Sequence, residues 1–248
     1  MTDARAGAPV LNDGLPSTIA IDGPAGSGKS TIGDHVAERL GYLYFDTGVV
    51  YRAVTWLALN RGVALDDEDA VVHLAVTVVI DIRDPGTALD GRLATVLGDG
   101  VDITWEIRQP EVDAAVSRVA AYPRVRQALI EQQRRIGRAG RVVMVGRDIG
   151  TVIMPDADLK IYLDASVAER ARRRFDERDA GSHGMTYDDV LQAMQRRDTY
   201  DSTRSTAPLR AAADAVHIDS TGLAVEETLA RVLAVIHAWR PPAAVTGA

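Results

Sequence analysis

The chain has 248 residues, 46% of them apolar, with 28 basic and 35 acidic residues, five histidines and no cysteine. That length supports a full α/β core with an elaboration, and the net charge of −7 excludes a global field that would draw the chain to nucleic acid or an anionic membrane. Zero cysteine removes disulfide scaffolds, thiolate metal sites and thiol nucleophiles, and makes a cytoplasmic setting the expectation; no apolar run long enough for a membrane span is present.

In chain order, residues 1–16 read as a loose tail rich in Ala, Gly, Pro and Asp. Thr18–Asp22 then reads as a short buried strand. It runs into Gly23-Pro24-Ala25-Gly26-Ser27-Gly28-Lys29-Ser30, which fills the G-x-x-x-x-G-K-[ST] pattern of a phosphate-binding loop. A helix follows from Thr31 to Leu40, with Ile32, Val36 and Leu40 at helical spacing. In this pattern the glycines let successive backbone N–H groups turn inward on phosphate oxygens, Lys29 adds a point charge, and Ser30 is the candidate ligand of a Mg²⁺ ion. Only Lys29 and Lys160 are lysines, so the other 26 basic residues are arginines; Lys29 stays Lys where a planar guanidinium would not fit a compact ring of amides.

Tyr42–Phe45 reads as a second strand and Val49–Asn60 as a second helix. Asp67–Thr77 is helical, and then the pattern changes. Val78–Arg83, Arg92–Leu97 and Val101–Thr104 are three short β runs separated by turns at Asp84-Pro85-Gly86 and Asp99-Gly100. A meander of this kind does not belong to a parallel sheet, so residues 66–120 read as an insert. Helical spacing returns over Ile107–Ala121 and Arg124–Gly137. Val142–Val145 is a buried strand ending at Gly146-Arg147-Asp148, and polar chemistry at the C-terminal end of a parallel strand marks a binding site. A fourth strand, Leu159–Leu163, precedes an Arg-rich helix; a helix over Tyr187–Tyr200, a fifth strand Ala215–Ile218 and a closing helix Val225–Trp239 complete a three-layer α/β reading, with 241–248 a second loose tail.

A second anion held opposite the loop needs its own cage, and arginine suits one because its fork matches phosphate oxygens and keeps its charge. Arg52, Arg147, Arg197 with Asp201, and Arg204 stand in site-like contexts. Arg170, Arg173 and Arg174 share one face of the Arg-rich helix, and the segment Asp179 to Gly184 behind them has the composition of a hinge. Residues 166–186 therefore read as a lid that closes over triphosphate and excludes water.

Together, G-P-A-G-S-G-K-S (23–30), F-D-T-G-V-V-Y-R (45–52), Y-P-R-V-R (122–126), G-R-D-I-G-T-V-I-M-P-D-A (146–157), I-Y-L-D-A-S (161–166) and R-R-D-T-Y-D-S-T-R-S-T-A-P-L (196–209) resemble the bacterial cytidylate kinase family over about residues 18–238. The resemblance implies a nucleoside monophosphate kinase fold with a central five-stranded parallel sheet, a small antiparallel insert and a helical lid, in one domain spanning 17–240. It implies ATP-dependent phosphorylation of CMP and dCMP with Mg²⁺, by a chain expected to be monomeric. Carried over by position, Arg52, Arg147 and Arg204 hold the monophosphate, Ser117, Arg126 and Asp148 read cytosine, Arg197 and Asp201 hold the sugar hydroxyls, and Thr47 stands beside the substrate. Gly23 to Thr31 with Arg170 and Arg174 bind the ATP phosphates, and Lys29, Arg147 and Arg173 are the candidates for catalysis. The attacking atom is already an anionic phosphate oxygen, so no general base is nominated. A kinase for another small acceptor, a nucleotide-dependent switch and a nucleic-acid motor are the alternatives; the chain carries no N-K-x-D-type segment and little aromatic content for the last two.

Overall fold

The computed structural model describes residues 14–179, 186–203 and 207–241. Its centre is a five-stranded parallel sheet. Strand β1 (Thr18–Asp22) lies in the middle, between β6 (Val142–Gly146) and β7 (Leu159–Asp164), with β2 (Leu43–Asp46) outside β6 and β8 (Val216–Asp219) outside β7. Every residue of β1 and β6 is buried, as expected of strands covered on both faces. The period-2 alternation divides the side chains cleanly. Ile19, Ile21, Val143, Val145, Ile161 and Leu163 pack with helices α1 (Lys29–Leu40) and α8 (Val225–Ala238), while Ala20, Phe45, Val142 and Met144 face the opposite layer.

That second layer holds α2 (Gly48–Asn60), α3 (Glu68–Thr77), α4 (Pro110–Ala121) and α5 (Pro123–Arg138). Asp67 caps α3, its carboxylate accepting from the Ala70 N–H at 3.0 Å; α4 and α5 each open on a proline, whose missing N–H costs nothing in a first turn. The expected meander is present as a separate antiparallel sheet of β3 (Ile80–Arg83), β4 (Thr95–Gly98) and β5 (Val101–Asp102). Asp99 and Gly100, both at positive φ, make its two-residue turn. Ile80, Ile82, Val96 and Ile103 join the same core as α2, α3 and α5, so the insert shares its hydrophobic interior with the main sheet.

The strands of the meander are shorter than their sequence runs. Arg92, expected in β4, instead uses its guanidinium to tie Asp90 to Asp102, at 2.6 Å on each side, and pairing begins only at Thr95. Past Asp148 the backbone makes a single wide helical turn, Ile149–Ile153, that period and propensity did not indicate. Of the lid region, helix α6 (Val167–Asp179) is described, and α7 (Tyr187–Thr203) follows the lid; 180–185, and Arg204 with its neighbours 205–206, lie outside the described residues. No helix among the described residues is long and apolar enough to cross a membrane.

Candidate active site

A cleft of about 1660 Å³ opens at the C-terminal ends of β1, β2 and β6. This is where the crossovers of a parallel sheet leave room for a ligand. One bank is the phosphate-binding loop. Gly28, at φ +88°, is the N-cap of α1 and has no side chain to offer its first turn, so the amides there stay available to an anion. At Gly23 the chain presses against β7; a Cβ at this position would lie 2.0 Å from the Leu163 carbonyl oxygen, so only glycine fits. Lys29 is folded inward, Nζ donating to the Pro24 carbonyl at 3.0 Å. Burial, with the nearby positive charge of Arg147 adding to it, lowers its pKa to about 7.

Beneath the loop, Asp22 accepts hydrogen bonds from the N–H groups of Ile149 and Gly150, both at 2.8 Å. The wide turn after β6 is thereby pinned to the end of β1. Burial raises the Asp22 pKa to about 6 despite those two amides. Ser30 is exposed on the first turn of α1, and Asp46 lines the same cleft. A hydroxyl and a carboxylate are hard oxygen donors of the kind Mg²⁺ takes. Among the described residues no group of three His, Cys, Asp or Glu side chains that could hold a metal ion is found.

The opposite bank is cationic. Arg52 on α2 donates through Nη1 to Asp113 at 2.5 Å and to the Ile107 carbonyl at 3.1 Å. Arg147 Nε donates to Asp201 Oδ2 at 2.5 Å, and Arg197 approaches the same oxygen at 3.9 Å. Burial and the charge of Arg147 lower the Arg197 pKa. Deeper in, Arg126 and Asp148 form a buried pair at 2.9 Å, and the Arg126 guanidinium lies over the Tyr51 ring, 5.4 Å from its centroid. The buried Nε of Arg126 has no hydrogen-bond partner among the described residues. Thr47 donates its hydroxyl to the Val145 carbonyl at 3.1 Å, and Ser117 lines the wall nearby.

Thus Ala25 to Thr31, Thr47, Arg52, Ser117, Arg126, Arg147, Asp148, Arg173, Arg174, Arg197 and Asp201 all line a single cleft. Gly23 and Pro24 support the loop from behind it. Arg173 spans Glu169 (2.9 Å), the Ser220 hydroxyl (3.2 Å) and the Ser220 carbonyl (2.6 Å). The structure departs from expectation at Arg170. It is buried and turned away from the cleft, because Asp198 and the carbonyls of Ala25 and Ala165 take up its donors. Asp22, Asp113, Asp198 and Ser220 were not singled out from the sequence. Asp22 ends the strand that enters the loop and Asp198 lies inside the R-R-D-T-Y-D motif, so both had a signal; Asp113 and Ser220 had none.

The model of one protein family, described as "Cytidylate kinase", matches residues 19–238. A relative named "Cytidylate kinase" from Roseiflexus castenholzii is 53% identical over 221 residues, covering 89% of this chain and 94% of that protein. Another of the same name from Geobacillus kaustophilus is 46% identical over 220 residues, covering 89% and 96%.

Proposed function

The chain belongs to the cytidylate kinase family, and from that premise we propose that it transfers the γ-phosphoryl group of ATP to CMP and dCMP, giving CDP and dCDP. The observation that carries this reading is the pairing of two anion sites across one cleft, a ring of backbone amides facing a bank of guanidiniums. Two polyanions must be brought within bonding distance, and each bank offsets the repulsion of one of them.

The ATP phosphates bind the loop amides and Lys29, with Arg173 and Arg174 on the lid side. When bound, Mg²⁺ supplies positive charge to the phosphate oxygens, with Ser30 as its protein ligand. The monophosphate is held by Arg52, Arg147 and Arg204, and the sugar hydroxyls by Arg197 and Asp201. Thr47 and Ser117 flank the acceptor. The acceptor oxygen is anionic before it attacks, so alignment and positive charge lower the barrier and no side chain has to remove a proton. Asp148 accepts from the exocyclic amine of cytosine and is aimed by Arg126. In uracil a carbonyl replaces the amine, and the carboxylate then faces a second acceptor. A monomer suffices because the residues named here lie on one chain, and an acidic, cysteine-free composition fits a cytoplasmic setting.

Coupled detection of ADP release with CMP, dCMP, UMP and AMP as acceptors tests the reading. Turnover is expected with CMP and dCMP, and kcat/KM for UMP at least about 10-fold lower, the equivalent of one poorly satisfied polar contact. Equal values for CMP and UMP would refute the role of Asp148; absence of turnover with CMP would refute the function.

A further inference from the structure

Arg170 carries more contacts than a lid cation needs. Its Nε donates to the Ala165 carbonyl at 2.8 Å, Nη1 to the Ala25 carbonyl at 3.0 Å and to Asp198 Oδ1 at 3.1 Å, and Nη2 to Asp198 Oδ2 at 2.5 Å. These partners belong to three separate parts of the fold: the residue after β7, the phosphate loop, and α7. Packing also joins the loop to α6 and α7, since a Cβ at Gly26 would meet Met194 Cε at 2.8 Å and Arg170 Cβ at 3.2 Å. The loop therefore rests directly on α6 and α7. On α7, Arg197 and Asp201 flank Asp198 in sequence and face the acceptor side of the cleft.

We propose that Arg170 and Asp198 are a positioning pair that aims the phosphate loop and fixes its distance from the acceptor side of α7, without touching either phosphate. The inference rests on the kinase reading above. A trans peptide unit points its C=O and its N–H in opposite directions. The Arg170 hydrogen bond that draws the Ala25 carbonyl down thus turns the N–H of Gly26, in the same peptide unit, away from α6. A bidentate carboxylate holds that guanidinium in one orientation, which a single-point contact would not do. In a transfer governed by alignment, a 1 Å displacement of the donor costs on the order of 100-fold in rate.

The test uses the full chain with Arg170→Lys, Asp198→Asn, and the double replacement Arg170→Met with Asp198→Leu. The double variant substitutes apolar groups for the whole pair, an exchange buried ion pairs often tolerate without loss of fold. Three quantities are read: kcat with KM for ATP and CMP, calorimetric affinity for a non-hydrolysable ATP analogue, and melting temperature. All three variants should lose about 10- to 100-fold in kcat, with KM for CMP within about 3-fold of wild type and analogue affinity lowered equally in the two single variants. The double should be no worse than Arg170→Lys, because the pair acts as one unit. Full kcat in the folded double variant would overturn the proposal. So would loss of analogue affinity in Arg170→Lys alone, the mark of direct phosphate contact, or a fall in melting temperature with kcat per folded enzyme unchanged. A wild-type chain inactive on CMP would refute the acceptor assignment alone, since analogue affinity still reports the aim of the Gly26 N–H.

Discussion

Asp148→Asn removes one charge from a pair whose side chains are only 11% and 8% exposed. The Arg126 guanidinium would keep its full charge, opposite a neutral amide, with its Nε lacking a partner among the described residues and its Cζ 5.4 Å from the centroid of the Tyr51 ring. Breaking a buried pair from one side costs roughly 3–5 kcal/mol. The amide retains one acceptor oxygen, so the lower end applies, about 3 kcal/mol. At about 2–4 °C per kcal/mol for a chain of this size, the unliganded melting temperature should fall by about 6–12 °C. Calorimetric or fluorescence-monitored melting at neutral pH without nucleotide measures this, and the coupled assay on the same preparation measures selectivity. The CMP-to-UMP ratio of kcat/KM should move toward one, since an amide can turn either a donor or an acceptor to the base. A variant that melts within about 1 °C of wild type would refute the reasoning. The pair would then be solvated in solution, and a carboxylate bathed in water could not discriminate between bases by the desolvation argument.

Proton linkage gives a second expectation. With a pKa near 7, Lys29 is mostly neutral at pH 8 in the unliganded site, and an adjacent triphosphate raises that pKa. Nucleotide binding at pH 8 should therefore take up close to one proton, and the uptake should vanish well below pH 7, where the amine is already charged. Calorimetry in two buffers of different ionisation enthalpy reads it; uptake surviving in Lys29→Met would assign the proton elsewhere. Gly23→Ala places a methyl 2.0 Å from the backbone oxygen of Leu163, so the loop has to shift. Stability should fall by about 1–3 kcal/mol and affinity for ATP with it, and unaltered affinity by calorimetry would contradict the contact. Arg52→Met breaks an ion pair whose members are 33% and 56% exposed. Unfolding free energy should change by no more than about 1 kcal/mol, while KM for CMP rises at least about 10-fold through the lost charge-assisted contact; an unchanged KM would remove Arg52 from the monophosphate site.

Strands β1, β2 and β6 were legible because each is a largely apolar run closed by Asp or Gly, and a run like β1 or β6, buried on both faces, has few other ways to fold. Strand β7, which carries Lys160, and the mostly exposed β8, which carries His217, were legible from their alternation with helices. The loop was legible because its chemistry is local: six backbone residues, a lysine and a hydroxyl at fixed spacing. The turn Ile149–Ile153 was not. Its shape depends on the Asp22 carboxylate, more than a hundred residues earlier, capturing two amides. Arg170 shows the same limit from the other side. Helical spacing placed it on one face with Arg173 and Arg174, but the direction its own guanidinium takes depends on Asp198 and Ala25, and no periodicity within α6 contains either. Asp113 had no local signature, and only the fold brings it to Arg52.

The loop grows from β1, whereas Thr47 and Arg147 follow β2 and β6, the next two strands on one side of it. Neighbouring strands lie about 4.8 Å apart, so the lateral offset between donor and acceptor is set in whole strand widths by the hydrogen-bond ladder. The sheet serves as a ruler. In the proposed transfer, the gauge across which phosphorus must travel is built into a hydrogen-bonded sheet whose central strands are fully buried. Variation in the lid or the insert should therefore change timing and selectivity while leaving that span untouched.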